Sequence, residues 1–432
     1  MKIELKSLES SLNHAACKII LETKGMFSFE KFVKNYLNVK FEENNHDELT
    51  VFPPIFLQEY QLFSHKNVII DRYGILYDEQ NIPIPDALNT YEDIDNYVSD
   101  CGMKDFSNVE EIHFEKPPVL FFDHYFYNFG HFLTEAYPRL FLVKDLLKKG
   151  HKILLPPKLS NEDKRYDYYQ HIQPCLDALG ITDKDIIQIP KQGVKLSSLI
   201  MPSHVKFRED YVIPAINHLK DYFYEPSFEW KSDKLYISRR DTSLRKITNE
   251  EKVEFLLRNY FGFKVIAMSD YSFKEKINIM MRVNTLVSVD SSSLINCIFM
   301  NENAQILGLR PKEFGFFNIA LTSLFNQKLF LQICKFGTLD THHFSGHLFV
   351  DLAKLFENLL AITNQPKTCK TRIAYLFIKY YSLLTDQLNE LNKWRLQKTE
   401  DSPFMQKYLR VKRNLNLSGL KKLAKILLKT RN

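Results

Sequence analysis

Residues 234–269 read KLYISRRDTSLRKITNEEKVEFLLRNYFGFKVIAMS, and this stretch decides the fold. KLYIS (234–238) and FKVIAMS (263–269) are apolar runs of strand length, and the residues between them carry apolar side chains at helical spacing over 249–260. Thr248 and Glu251 make the T-x-x-E pattern of a capping box, and Gly262 offers the left-handed residue on which helices commonly end. The alternation continues toward the carboxyl terminus. TLVSV (285–289), AQILGL (304–309) and KLFLQIC (328–334) read as further strands, with helices expected over 273–282, 292–300 and 316–325. A strand can pair in parallel with its successor only through a crossover, so strands alternating with helices of about 10 to 15 residues call for a parallel, doubly wound sheet.

Toward the amino terminus the same pattern is present but looser. VLFFD (119–123) reads as a buried strand, followed by a helix over 130–149, and HKILLPP (151–157) as another strand. A helix over 168–179 closes on Gly180, and DIIQIP (185–190) and VKLSSLIMP (194–202) are short strands. Before residue 118 only 67–70 and 74–77 suggest strands, joined by a turn at Asp71-Arg72-Tyr73-Gly74. A single core rarely organises more than roughly 250 to 300 residues. A chain of 432 residues is therefore expected to divide. The expected parts are an α/β domain over 1–205, a helical connector over 206–233, an α/β domain over 234–365 and a helical tail over 366–432. The overall expectation is two Rossmann-like doubly wound domains facing a cleft.

The thirteen glycines never form G-x-G-x-x-G, G-x-x-x-x-G-K-[ST] or G-x-S-x-G, which excludes the common dinucleotide, P-loop and nucleophile-elbow chemistries. Six scattered cysteines form no metal-ligand spacing, and the amino terminus interleaves charges with its apolar residues. A reduced, cytoplasmic setting without a secretory leader is the expectation. No HExxH occurs, and His342-His343 would point to different sides of any regular element.

Two constellations stand at strand ends, where open α/β sheets bind ligands. The first is YNFGHFLTEAYPRL (127–140), in which His131, Glu135 and Arg139 recur every four residues and so share one helix face. Pro138 lacks an N–H and would clash with the Thr134 carbonyl, so this helix is expected to bend or start late. The plainer reading makes His131 a helix-end residue and Glu135 with Arg139 an exposed i,i+4 pair. The second constellation sets Arg239, Arg240 and Arg245 after the first strand of the later sheet. Asp290, Ser291, Ser292 and Ser293 follow TLVSV. Guanidinium forks, serine hydroxyls and backbone N–H groups suit a diphosphate. The plainer reading here is a serine N-cap and solvated arginines. Asp290 would repel a phosphate unless it meets ribose hydroxyls or a protein cation.

The first segment, then LYISRRDTSLRKITNEEKVEFLLRNYFGFKVI (235–266) and TLVSVDSSSLINCIFM (285–300), resemble glycosyltransferase family 61 in order and spacing over roughly residues 65–360. The resemblance implies a two-domain GT-B arrangement, a nucleotide-sugar donor in the later domain, inversion at the anomeric carbon and no cofactor or essential metal. It marks His131, Glu135 and Arg139 in the first segment and Arg239, Arg240 and Arg245 in the second. An inverting transfer needs a general base for the acceptor hydroxyl, for which His131 is the first candidate and Glu135 the second. The donor side is expected to hold Arg139, Arg239, Arg240, Arg245, Asp290, Ser291, Ser292 and Ser293. The chain departs from the family at Asp290, Ser291 and Ser292, where histidine, glycine and alanine are usual. The expected acceptor is an oligosaccharide or lipid-linked glycan, and the missing secretory features lead to the expectation of a bacterial surface polysaccharide. A non-catalytic nucleotide-sugar-binding scaffold protein, or another nucleotide-sugar enzyme such as an epimerase, is the alternative. Asp93-Ile94-Asp95 is a D-x-D of the kind that holds a divalent metal, set in an acidic stretch that reads equally as a solvated face.

Residues 393–432 hold twelve Lys or Arg against two acidic residues, although the whole chain is only +6. The remainder is thus net acidic, which argues against a nucleic-acid-coating surface. Leu420, Leu423, Ala424 and Leu427 share one face of LKKLAKILLKT (420–430), the pattern of an interfacial helix, so residues 408–432 are expected to meet an anionic membrane surface.

Overall fold

The computed structural model describes residues 18–23, 60–84, 105–123, 126–156, 168–205, 208–311, 317–336, 346–366, 375 and 378. Asp93, Asp95, His342, His343 and the basic segment 408–432 lie outside them. Among the described residues no helix is long and apolar enough to cross a membrane.

The first half builds a sheet from β1 (Lys18–Thr23), β2 (Tyr60–Ile70), β3 (Leu76–Tyr77), β4 (Glu111–Ile112), β5 (Ile153–Leu155), β6 (Ile186–Gln188) and β7 (Val194–Pro202). The expectation of a doubly wound parallel sheet fails here. β2 runs antiparallel to β1, β3 and β7, whereas β4 pairs with β7 in parallel and β5 with β6 in parallel. Val119 joins the two parts by bridging Ile153 on one side and Ile200 on the other. Of the run expected as a strand at 119–123, Val119 forms the bridges and the Leu120 N–H donates to the Ile200 carbonyl at 2.9 Å.

The turn from β2 to β3 is the expected one. Gly74 takes φ +84° and its N–H donates to the Asp71 carbonyl. The Asp71 side chain accepts from the N–H groups of Tyr73 (2.8 Å) and Ile75 (2.9 Å), yet burial pushes its carboxyl up from 3.8 to about 6. The folded form holds this proton more tightly than the unfolded chain. Its contribution to stability is therefore full below about pH 3.8 and lost as pH rises through about 6. Asp71→Asn keeps the accepting Oδ1 and cannot ionise, so it is expected to raise unfolding free energy near neutral pH by about 1–2 kcal/mol. Urea denaturation should show the gain vanishing in acid, and an equal gain at both pH values would contradict the burial argument.

Helix α1 (Tyr137–Lys148) carries the end of the first constellation, α2 (Tyr168–Ala178) lies between β5 and β6, and α3 (Glu209–Phe223) links the halves. Gly180, just past α2, takes φ +69° as a helix terminator.

The second half holds β8 (Lys234–Ile237), β9 (Lys264–Ile266), β10 (Thr285–Val289), β11 (Gln305–Arg310) and β12 (Lys328–Ile333), with α4 (Glu250–Leu256), α5 (Phe273–Met280) and α6 (Phe317–Leu324) between them. A short hairpin, β13 (Lys335–Phe336) with β14 (Leu348–Phe349), precedes α7 (Leu352–Ile362). The five strands are all parallel, in the spatial order β12-β11-β10-β8-β9. Alternate residues face opposite layers. Leu235, Ile237, Leu286 and Ile306 pack with α5 and α6, whereas Tyr236, Val287, Val289 and Leu307 pack with α4 and α7. Tyr375 and Ile378 pack against the second of these layers.

Two local expectations are corrected. Thr248 makes no capping box, because its hydroxyl and its N–H both donate to the Leu348 carbonyl, beside the bridge from Ile247 to Leu348. A capping box is found instead at Ser272 and Glu275, ahead of α5. The segment after β10 is a 3-10 helix over Leu294–Phe299, not an α-helix.

The expected connector is itself part of the core. Val212, Ala215, Ile216 and Leu219 of α3 belong to one buried cluster that runs from Leu62 and Phe63 in β2 to Leu329 and Leu331 in β12. Among the described residues the apolar cluster does not divide along the connector expected at 206–233.

Candidate active site

The parallel sheet reverses its winding direction between β8 and β10, because β9 lies outside β8 while β11 and β12 extend from β10. Crossovers leave on opposite faces at such a point, so a crevice opens beyond the carboxyl ends of the strands. A cavity of about 390 Å³ occupies that place. Arg239 and Asp241 reach it from the end of β8, Met268 and Ser269 from the end of β9, and Ser292, Ser293 and Asn296 from the segment after β10. The first half closes the other side with Tyr127, Asn128 and Phe129, and α2 adds Gln170 and His171.

Asn128 organises the approach to the first constellation. Its side chain accepts from the N–H groups of Gly130 (2.9 Å) and His131 (3.4 Å), which start the helix at Phe129–His131. Gly130 packs against the 3-10 helix of the second half so closely that a Cβ there would stand 2.0 Å from Ile295 Cδ1. The bend expected at Pro138 takes the form of a π-turn over Phe132–Ala136, in which the Tyr137 N–H reaches back to the Phe132 carbonyl. The wider turn suits a proline two residues later that can neither donate nor tolerate a close carbonyl.

Across this turn His131 Nδ1 and Glu135 Oε1 lie 2.9 Å apart, with the imidazole side chain 25% exposed and the carboxylate 2%. The ring sits beside Phe317 at the start of α6, with centroids 5.5 Å apart. His131 is therefore adjacent in sequence to the cavity wall and stands beside the start of α6, outside the cavity lining. Arg139 is not brought to it. Its Nε (3.1 Å) and Nη2 (2.7 Å) donate to the Pro202 carbonyl, tying the helix to the end of β7.

The three arginines of the second constellation separate. Arg239 is buried in the cavity wall, its Nη2 donating to the Leu244 carbonyl (2.9 Å), and its backbone N–H is held by Glu250 (2.8 Å). Arg240 points to solvent and pairs with Asp270 at 2.7 Å. Arg245, with φ +51°, a region uncommon for a residue with a Cβ, directs Nη1 to the Asp290 carbonyl at 3.5 Å. Asp290 is buried beneath the site, its Oδ2 3.4 Å from Arg310 Nη1 and its Oδ1 accepting from Asn318 Nδ2. Burial pushes this carboxyl up, and the Arg310 guanidinium opposes the shift. The carboxylate has thus met a protein cation, which removes the repulsion expected against a phosphate. Ser291 and Ser293 share a hydroxyl contact of 2.8 Å, and Ser288 joins Ser293 at 3.1 Å, so the serines brace one another while Ser292 and Ser293 reach the cavity.

The family model described as Glycosyltransferase 61 matches residues 129–307. That segment belongs to glycosyltransferase family 61. No curated protein matches the chain. The glycosyltransferase segment begins at Phe129, in the cavity wall, and ends in β11. It holds both constellations and every cavity residue except Tyr127 and Asn128.

Sequence reading missed His171 and Lys276, which both line the cavity. Each occupies the second place of an i, i+3, i+4, i+7 stripe that is otherwise apolar or aromatic. The stripes are Tyr168, His171, Ile172, Cys175 and Phe273, Lys276, Ile277, Met280. A polar residue inside such a stripe was the available signal. Among the described residues no group of three or more His, Cys, Asp or Glu is placed to hold a metal ion.

Proposed function

We propose that this chain transfers a sugar, with inversion, from a nucleotide-sugar donor to a glycan acceptor, in the synthesis of a bacterial surface polysaccharide. The observation that carries the reading is the cavity at the winding reversal of the parallel sheet, with Arg239 in its wall and Ser292 and Ser293 at its floor. The diphosphate of the donor occupies it. The acceptor hydroxyl attacks the anomeric carbon and gives its proton to His131, oriented by Glu135. The bond from the anomeric carbon to the diphosphate breaks with its electron pair remaining on the phosphate oxygen. Residues 408–432 fit attachment to the anionic membrane face on which a lipid-linked acceptor is carried.

Calorimetric titration of the full chain with a panel of nucleoside diphosphates, followed by turnover with the matching nucleotide sugars, tests this reading. Arg239→Ala removes a charge-assisted contact worth roughly 1.5–3 kcal/mol, so the best-binding nucleoside diphosphate should lose about 10- to 100-fold in affinity. Arg240→Ala, whose side chain stands outside the cavity, should lose little. Binding without turnover on any donor would favour a nucleotide-sugar-binding scaffold. Equal effects of Arg239→Ala and Arg240→Ala would remove the donor from this cavity.

A further inference from the structure

Three polar atoms around the cavity are buried and make no hydrogen bond among the described residues: His171 Nε2, Asn296 Oδ1 and Arg239 Nε. Buried polar groups are nearly always paired in a folded protein, and a concentration of exceptions in one cavity marks a place where a ligand completes the bonding. Their chemistry narrows the ligand. His171 is 8% exposed, and its ring is gripped edge-on by Phe129 (5.4 Å, 79°) and Phe132 (5.5 Å, 66°), which fixes its plane. Burial, and secondarily the charge of Lys276, lower its pKa to about 4, so near neutral pH it is an uncharged imidazole with one N–H to donate. Lys276, 9% exposed, enters the cavity from α5, and Arg239 enters from the end of β8. Asp241, the one carboxylate in the lining among the described residues, accepts from the Ser269 N–H at 3.3 Å.

Two cations from different elements, with a fixed neutral donor beside one of them, fit an anion that carries many acceptor oxygens and spreads its charge over two groups. We infer that Lys276 and His171 complete the diphosphate cradle together with Arg239, and that they meet the charge left on the departing nucleoside diphosphate. This rests on the reading of the cavity as the donor site. A neutral imidazole suits the position because it donates a hydrogen bond without holding the product by a further full charge. The leaving group needs no proton, since the electron pair of the broken bond stays on a phosphate oxygen that Lys276 and Arg239 neutralise. The site then divides its work between two histidines. His131, paired with Glu135, receives the acceptor's proton, and His171, next to Lys276, faces the leaving group.

The experiment titrates the full chain with inorganic pyrophosphate and with a panel of nucleoside diphosphates, alongside Lys276→Met, Lys276→Arg, His171→Phe and His171→Gln, with a thermal melt of each. His171→Phe keeps a flat ring against Phe129 and Phe132 but has no N–H, and His171→Gln restores a donor. Lys276→Met should weaken pyrophosphate about 10- to 100-fold and Lys276→Arg much less, as expected for charged hydrogen bonds. His171→Phe should lower kcat more than it raises the donor KM, because its contact strengthens as leaving-group charge builds, and His171→Gln should recover part of the loss. Wild-type pyrophosphate affinity in folded Lys276→Met, with unchanged kcat in His171→Phe, overturns this assignment and leaves the donor reading standing. Should His171→Phe not fold, the two Lys276 variants decide. A wild-type chain that binds neither pyrophosphate nor any nucleoside diphosphate overturns both.

Discussion

His131→Ala is expected to lower kcat by about 10²- to 10⁴-fold, the usual contribution of general-base catalysis, while leaving nucleoside-diphosphate affinity and the thermal melt close to those of the wild type. The expectation follows from the ring's position. It is not part of the cavity lining, is partly exposed, and contacts Glu135 at 2.9 Å through Nδ1. Glu135 is buried and touches the ring, which is the arrangement of a group that orients a base. Glu135→Gln should therefore cost less than His131→Ala. The reverse order in steady-state kinetics would make Glu135 the base, and loss of folding in both variants would reduce the pair to a structural contact.

Asp290→Ala is expected to have the largest effect on stability. It removes a carboxylate 3.4 Å from the guanidinium of Arg310, and both side chains are 1% exposed. Removing one partner of a buried ion pair costs roughly 3–5 kcal/mol, because the remaining charge has been taken out of water. The Asn318 amide that donates to Asp290 loses its acceptor as well. Denaturant melts should show the loss in Asp290→Ala, and the double variant Asp290→Ala/Arg310→Met should lose less than the two single variants combined. Strict additivity would mean that the two side chains do not act as a pair.

How far the sequence could be read depended on whether neighbours along the chain or partners across the fold decided each element. The later sheet was legible because Val, Leu and Ile runs such as 285–289 are buried on both faces and leave strand as the natural reading. β2 was legible only from Asn67 onward, since His65, Lys66 and Asn67 interrupt its apolar pattern, and Asn67 adopts φ +52°. Its antiparallel register on β7 is a pairing between residues more than a hundred positions apart, which no local pattern encodes. Pro138 correctly announced a disturbed helix, but not its form, a π-turn over the buried residues Phe132–Ala136.

The candidate site was legible in kind more than in membership. His131 with Glu135, and Arg239 with Ser292 and Ser293, are each brought together or to the cavity. Arg139 and Arg240 have the right residue type but turn their guanidinium groups to the Pro202 carbonyl and to Asp270. Spacing fixes which residues share an element and not which way a long side chain finally bends. His171 and Lys276 were hidden for the opposite reason, because helices that read as core draw attention away from the one polar residue in the stripe.

The unbroken cluster that joins α3 to both sheets also bears on how such a chain can change its substrate over generations. In modular enzymes, recombination at a linker can graft a new donor half onto an old acceptor half. A cut at 225–234 would here strip Val212, Ala215, Ile216 and Leu219 of partners such as Ile277 and Met280. Each grafted half would have to match the other's interior side chain by side chain. New sugars must therefore be acquired one residue at a time, in the loops beyond the strand ends, where exchange leaves the shared interior untouched.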